Sequence, residues 1–259
     1  MEKQKNKFLT KKERFSLFTQ RFLGWATMPF WNNMAVVLMR FWAKYHVPDL
    51  RRIRRQFKQM LKETDGPIIV CANHLTKIDS VLINWSLASW WTYMKNYRSF
   101  SWNMPERANF ASNPILRGIC YLASCVPVDR GGDRDIVKKS IDKITHMMHK
   151  GHTVTIFPEG KRSRHGKIDT DDYSYGVGRL VRAVQDAKVL CVYLRGEAQE
   201  TFSGIPKRGQ KFYLDMKLIA PETPFKGLRA TKDISSQIIH QLTAMEERYF
   251  LHFPPAAQA

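Results

Sequence analysis

Short apolar runs closed by turn residues alternate along this chain with longer stretches in which apolar positions recur every three or four residues. Pro67 to Ala72 (Pro-Ile-Ile-Val-Cys-Ala), entered through Asp65-Gly66, has strand length and no polar break, so it predicts a strand buried on both faces. Thr153 to Pro158 is a second short β-branched run, and Val189 to Leu194 and Lys211 to Leu218 predict two more strands. Between Asp133 and Gly151 the residues Ile136, Val137, Ile141, Ile144, Met147 and Met148 fall at helical spacing. Strand, helix and strand at these lengths form a parallel crossover unit. Further helices are predicted from Asp79 to Met94, from Tyr175 to Ala187, and around Ile234, Ile238, Ile239, Leu242 and Met245. Residues 96–118 look irregular, and Ser163 to Asp172 reads as a charged loop. The fold class is therefore α/β: a mixed, largely parallel sheet flanked by helices, with an N-terminal helical segment of a different character.

That segment is basic, then apolar, then basic again. Residues 1–14 read as a loose cationic arm. Phe22 to Met39 is uncharged and flanked by Arg21 and Arg40, a length at the lower edge for a spanning helix. Pro29 and the pair Asn32-Asn33 interrupt its middle, which favours two short apolar helices hinged near Pro29 and dipping into one leaflet. A true span and a buried hairpin are the alternatives, and no secretory cleavage site follows. Arg40 to Lys62 then reads as a helix carrying cations, among them Arg51, Arg52, Arg54, Arg55 and Lys58. We divide the chain into a membrane-associating helical region, 1–62, and an α/β domain, 63–259, without internal repeats.

Charge narrows the partners. The chain has 42 Lys+Arg against 23 Asp+Glu, a net charge of +19 over 259 residues. Such an excess calls for an anionic partner: nucleic acid, an anionic membrane or a phosphorylated substrate. Seven Trp, fifteen Phe and nine Tyr interleaved with cations suit the membrane interface, so we expect a phospholipid membrane and no nucleic acid. Four cysteines (Cys71, Cys120, Cys125, Cys191) sit in or beside apolar runs and read as small buried hydrophobes in a reducing compartment. Cys71-x-x-His74 with Cys120-x4-Cys125 matches no common zinc spacing, so no metal is expected.

Three motifs carry the candidate chemistry. Asn73-His74-x4-Asp79 leaves the first strand, Ser124 to Arg130 reads as a further apolar strand ending in Asp129-Arg130, and Phe157-Pro-Glu-Gly-Lys-Arg-Ser163 leaves the second strand. An imidazole with a carboxylate five residues on can form a base and its orienter, the carboxylate fixing the tautomer. His74 as a strand cap and Asp79 as a helix cap is the plainer alternative for that stretch alone. Arg130 and Arg162 suit phosphate, because a planar guanidinium grips two oxygens at once. Gly160 permits close backbone approach, while Lys161 and Lys77 offer further cations. No Gly-x-Ser-x-Gly elbow occurs, and Cys71 is a distant alternative nucleophile.

In order and separation these motifs resemble the glycerolipid acyltransferase family, whose best-known bacterial members acylate lysophosphatidic acid. The resemblance implies His74 and Asp79 as the catalytic pair. It also implies substrate binding by Arg130, Glu159, Gly160, Lys161 and Arg162, with Glu159 holding a glycerol hydroxyl or orienting Arg162. The implied reaction moves a fatty acyl group from acyl-CoA or acyl carrier protein to the free hydroxyl of a lysophospholipid. The acceptor is foremost 1-acylglycerol-3-phosphate, giving phosphatidic acid without a covalent intermediate and without a cofactor beyond the thioester donor. Acylation of glycerol-3-phosphate or another lysolipid is the alternative, as is a non-catalytic basic protein binding membrane or nucleic acid. The implied location is the cytoplasmic face of a membrane, the inner membrane in a bacterium. Ser124 and Lys161 depart from the family's glycine and threonine, Cys191 replaces a proline, and Val177-Gly178 stands for a lysine-glycine pair. Asp79 in place of glutamate argues against the lipid A secondary acyltransferases.

Overall fold

A computed structural model describes residues 9–129, 132–184, 186–197 and 199–254. Its centre is a five-stranded sheet: β1 (Ile68–Ala72), β2 (Trp102–Asn103), β3 (Val154–Ile156), β4 (Lys188–Gly196) and β5 (Phe212–Ile219), in the order β2-β3-β1-β4-β5. Every pairing is parallel except β4 with β5. β1 lies at the centre and is buried along its whole length, as its unbroken apolar run requires. Its Val70 and Ala72 face one core, and Ile69 and Cys71 face the other.

The described residues form eight α-helices: α1 (Lys11–Val37), α2 (Leu50–Glu63), α3 (Asp79–Leu87), α4 (Trp90–Lys95), α5 (Pro114–Leu122), α6 (Arg134–His149), α7 (Gly176–Ala183) and α8 (Gly227–His252). The core on one face takes Ile144, Met147 and Met148 of α6 with Ile234, Ile238, Leu242 and Met245 of α8. The core on the other takes Met28 of α1, Ile53 and Phe57 of α2, and Leu82 and Ile83 of α3. α6 starts at Asp133, whose side chain accepts from the Asp135 N–H, and ends before Gly151 at φ +80°.

Several expectations change, among them the helix expected from Arg40 to Lys62, which is interrupted after Trp42 and resumes at Leu50. The helical pair hinged at Pro29 is instead one helix, continued through a π-helical turn at Leu38–Trp42. Proline removes one main-chain bond, and side chains bond the carbonyls around it: Thr27 to Leu23 at 2.6 Å, Trp31 to Gly24 at 3.2 Å and Asn33 to Pro29 at 2.6 Å. Residues 11–14, expected within the loose basic arm, belong instead to α1, which Thr10 and Glu13 start with a reciprocal capping box; residues 1–8 lie outside the described residues. The helix expected from Asp79 to Met94 is broken at extended Ala88, and Ser89 caps α4. The apolar run before Arg130 does not join the sheet: it touches the β2 segment only by single bridges at Cys125 and Val128. Pro127 lacks the N–H a ladder needs.

Candidate active site

The site begins where β1 ends. Asn73 continues the ladder with its side chain: its amide donates to Leu194 O at 2.9 Å and accepts from Leu194 N–H at 2.7 Å. With the sheet satisfied that way, the backbone is free to leave at His74.

Asp79 opens α3 and is almost fully buried. Its Oδ2 accepts from the N–H groups of Leu75 at 2.7 Å and Thr76 at 2.8 Å, and from His74 Nδ1 at 2.9 Å. The Thr76 hydroxyl donates to Oδ1 at 2.5 Å. Four donors, with a helix N-terminus, suit an ionised carboxylate. An ionised acceptor obliges Nδ1 to carry the proton, which leaves the Nε2 lone pair of His74 open. Among the described residues nothing bonds Nε2. The side chain is 18% exposed, and its ring stacks on Phe157 with centroids 4.0 Å apart and planes 18° apart.

Two loops hold the peptide groups around His74. From the β3 side, Glu159 Oε1 accepts the His74 N–H at 2.8 Å, and the Ser163 N–H donates to His74 O at 3.0 Å. Gly160 closes the Phe157–Gly160 turn with φ +68°, a conformation that glycine adopts without strain. From the β4–β5 side, Ser203 N–H donates to Leu75 O at 3.1 Å, and Lys77 N–H donates to Gly204 O at 3.1 Å. The loops meet where the Arg162 guanidinium lies 4.8 Å from the Phe202 ring centroid.

Arg195, at the end of β4, clamps both loops. It is 4% exposed, donates to the Gly166 carbonyl and to Glu200 O (3.2 Å for the latter), and approaches Glu246 of α8 at 3.9 Å. A Cβ on Gly166 would fall 1.9 Å from Glu200 O, so the loops touch backbone to backbone there.

The expected site residues thus fall as follows. His74, Asp79, Glu159, Gly160 and Arg162 converge on one end of β1 and β3. Glu159 is 4% exposed, and its partner is the His74 backbone. Burial pushes its carboxyl up to about 8, with the charges of Glu246, Asp79 and Asp169 adding to the rise and the His74 hydrogen bond opposing it. Lys161 is exposed and bonded to Asp172, with Asp169 at 3.6 Å; the Asp172 bond raises its pKa. Arg130 lies outside the described residues. Cys71 is fully buried in β1, where desolvation holds its thiol well above the usual range, a poor setting for a nucleophile. Sequence reasoning missed Phe157, Thr76, Phe202 and Arg195. A Thr three residues before Asp79 is a readable capping signal, whereas the other three depend on which loops meet.

The end of β1 thus gathers a buried carboxylate and an imidazole oriented by it with one open nitrogen, and the loop after β3 carries a guanidinium to the same end of the sheet. The family model described as Acyltransferase matches residues 49–195, from α2 through β4. The chain belongs to that family, the family of PlsC-type lysophosphatidic acid acyltransferases, and is an acyltransferase.

Proposed function

We propose that the chain transfers a fatty acyl group from acyl-CoA or acyl carrier protein to the free hydroxyl of a lysophospholipid, foremost 1-acylglycerol-3-phosphate. One observation carries this reading: Asp79 orients the His74 ring at 2.9 Å and leaves Nε2 open, while the loop that carries Arg162 is tied to the His74 carbonyl through the next residue, Ser163. In the proposed reaction the acceptor hydroxyl gives its proton to Nε2 as its oxygen attacks the thioester carbonyl. Asp79 stabilises the imidazolium that forms. Collapse of the tetrahedral intermediate breaks the carbon–sulfur bond, and the imidazolium returns the proton to the leaving thiolate. Arg162 holds the acceptor phosphate, with Phe202 limiting the guanidinium's freedom. No acyl-enzyme is formed.

The same reading seats the protein on the cytoplasmic face of a phospholipid membrane through residues 1–62. Members of the family are typically membrane-associated. Among the described residues no helix is long and apolar enough to cross a membrane. Instead α1 buries only the stripe Leu17, Gln20, Gly24 and Met28 against the protein. Phe15, Phe18, Phe22 and Phe30 stay exposed, and so do Ile115 and Ile119 on the adjoining α5. An apolar surface of that extent calls for a second apolar phase.

Offering the purified protein a panel of lysolipids and glycerol-3-phosphate with each thioester donor tests the acceptor and donor together. Fastest turnover on 1-acylglycerol-3-phosphate is expected. Turnover on non-phosphorylated lysolipids alone would reject the role given to Arg162.

A further inference from the structure

A second cationic site lies away from His74. Between α2 and the α3–α4 junction is a cavity of about 230 Å³ lined by Arg54, Arg55 and Lys58, with Phe57, Leu61 and Leu87 among its apolar walls. At roughly 30 Å³ per water it has room for a phosphate and part of an attached glycerol. No acidic residue lines it. Arg54 donates one terminal nitrogen to Trp85 O at 2.7 Å, and its Nε is buried without a partner. Burial disfavours the charged guanidinium there; Tyr93 opposes that effect and repulsion from Arg40 adds to it. A partly desolvated cation at the wall of a cavity is costly unless an anion joins it.

The cavity's place indicates where that anion comes from. It sits at the C-terminal end of α3, whose first residue is Asp79, so roughly 12 Å of helix separates it from the catalytic pair. Thr92 of α4 also borders it, and the neighbouring Trp91 is exposed with Lys95 over its ring at 5.1 Å. Arg40, whose charge Arg54 feels, belongs to the π-helical turn that leaves Phe41 and Trp42 exposed. Cations bordered by exposed aromatic rings are what a headgroup layer accommodates.

We infer that this cavity is a second anion site, which takes the phosphate headgroup of an anionic membrane phospholipid, its glycerol lying against Phe57, Leu61 and Leu87. The inference rests on the membrane reading above for the source of the phosphate. It is independent of the catalytic role of His74.

The test is calorimetric titration of the full chain with dihexanoylphosphatidylglycerol below its micelle concentration, beside dihexanoylphosphatidylcholine. Saturable binding of the anionic lipid is expected. An Arg55→Gln/Lys58→Gln variant should weaken it at least tenfold; both side chains are exposed, so the fold is not at stake. Thr92→Trp, which fills the cavity, should weaken it likewise, and His74→Ala should leave it unchanged. Equal affinity in the double variant and the wild type would overturn the proposal. So would full displacement by coenzyme A, which would assign the cavity to the donor, or inorganic phosphate binding as tightly as the lipid.

Discussion

At the scale of single residues, the site depends on which group holds which. Asp79 spends its oxygens on two backbone N–H groups, a hydroxyl and the imidazole, so its replacement disturbs the loop as well as the ring. Asp79→Asn puts an amide N–H₂ or a weaker acceptor where an anion is needed. Acyl transfer should fall by roughly 10²- to 10⁴-fold, the usual span for a misaligned base, read as the rate of thiol release from acyl-CoA. Glu159 makes a different prediction. Its carboxyl binds a proton more tightly in the folded chain, up to about 8, than the ordinary 4.5. Between those values the native state holds the extra proton, so stability falls as pH rises through that window and is fully present below it. Glu159→Gln keeps an acceptor for the His74 N–H and removes the titration. The wild type should lose stability relative to the variant by up to about 1.4 kcal/mol per pH unit across the window, measured as paired denaturant midpoints. Parallel curves would show that Glu159 is not desolvated. His74 and Asp79 were legible because a short loop after a buried strand brings residues five apart together. Phe202 was not, because its contact with Arg162 requires the β4–β5 connection to fold over a loop forty residues earlier in the chain.

At the scale of elements, strands were legible wherever burial on both faces left an unbroken apolar run, as in β1 and the Val189–Leu194 stretch of β4. β2 was not: two residues, Trp102 and Asn103, carry no periodicity, and only the exposed edge of β3 recruits them. The continuity of α1 was hidden too, because the bonds that support the chain near Pro29 come from side chains whose rotamers no pattern states. Where α1 passes α5, a Cβ on Gly24 would stand 2.6 Å from Leu122 O and 2.5 Å from the Tyr97 hydroxyl. Gly24→Ala should therefore force the helices apart and destabilise by about 1–3 kcal/mol despite alanine's better helix propensity, visible as a lowered melting temperature. An unchanged melting temperature would mean that α1 is not packed there. The Arg195 clamp is more severe. Arg195→Ala leaves Glu246 buried without its cation, a change worth about 3–5 kcal/mol for buried pairs, and it frees both loops beside His74.

At the scale of the whole molecule, charge and apolar surface act together. In the proposed membrane reading, the excess of nineteen cations draws the protein to an anionic surface, and the exposed rings of α1 and the side chains of α5 give it something to insert. The two contributions separate in solution. Salt screens exposed charges within about 8–10 Å, so rising salt should weaken attachment to anionic vesicles without abolishing it. Phe18→Ser/Phe22→Ser should lower vesicle binding at high salt by tenfold or more, since each buried ring contributes about 1.5–3 kcal/mol. Release by salt alone would assign attachment to electrostatics. The sequence showed the charge and the aromatics. It did not show that α1 fully buries only a narrow stripe and leaves Phe15, Phe18, Phe22 and Phe30 exposed, because an apolar helix looks alike whether protein or lipid covers it.

The central claim is that the His74 imidazole takes the acceptor's proton. The direct test is the single-turnover rate of thiol release from acyl-CoA with 1-acylglycerol-3-phosphate, in the wild type and in His74→Ala, with vesicle binding followed in parallel. A loss of roughly 10²- to 10⁴-fold in rate at unchanged binding is predicted. An undiminished rate in His74→Ala would contradict the account.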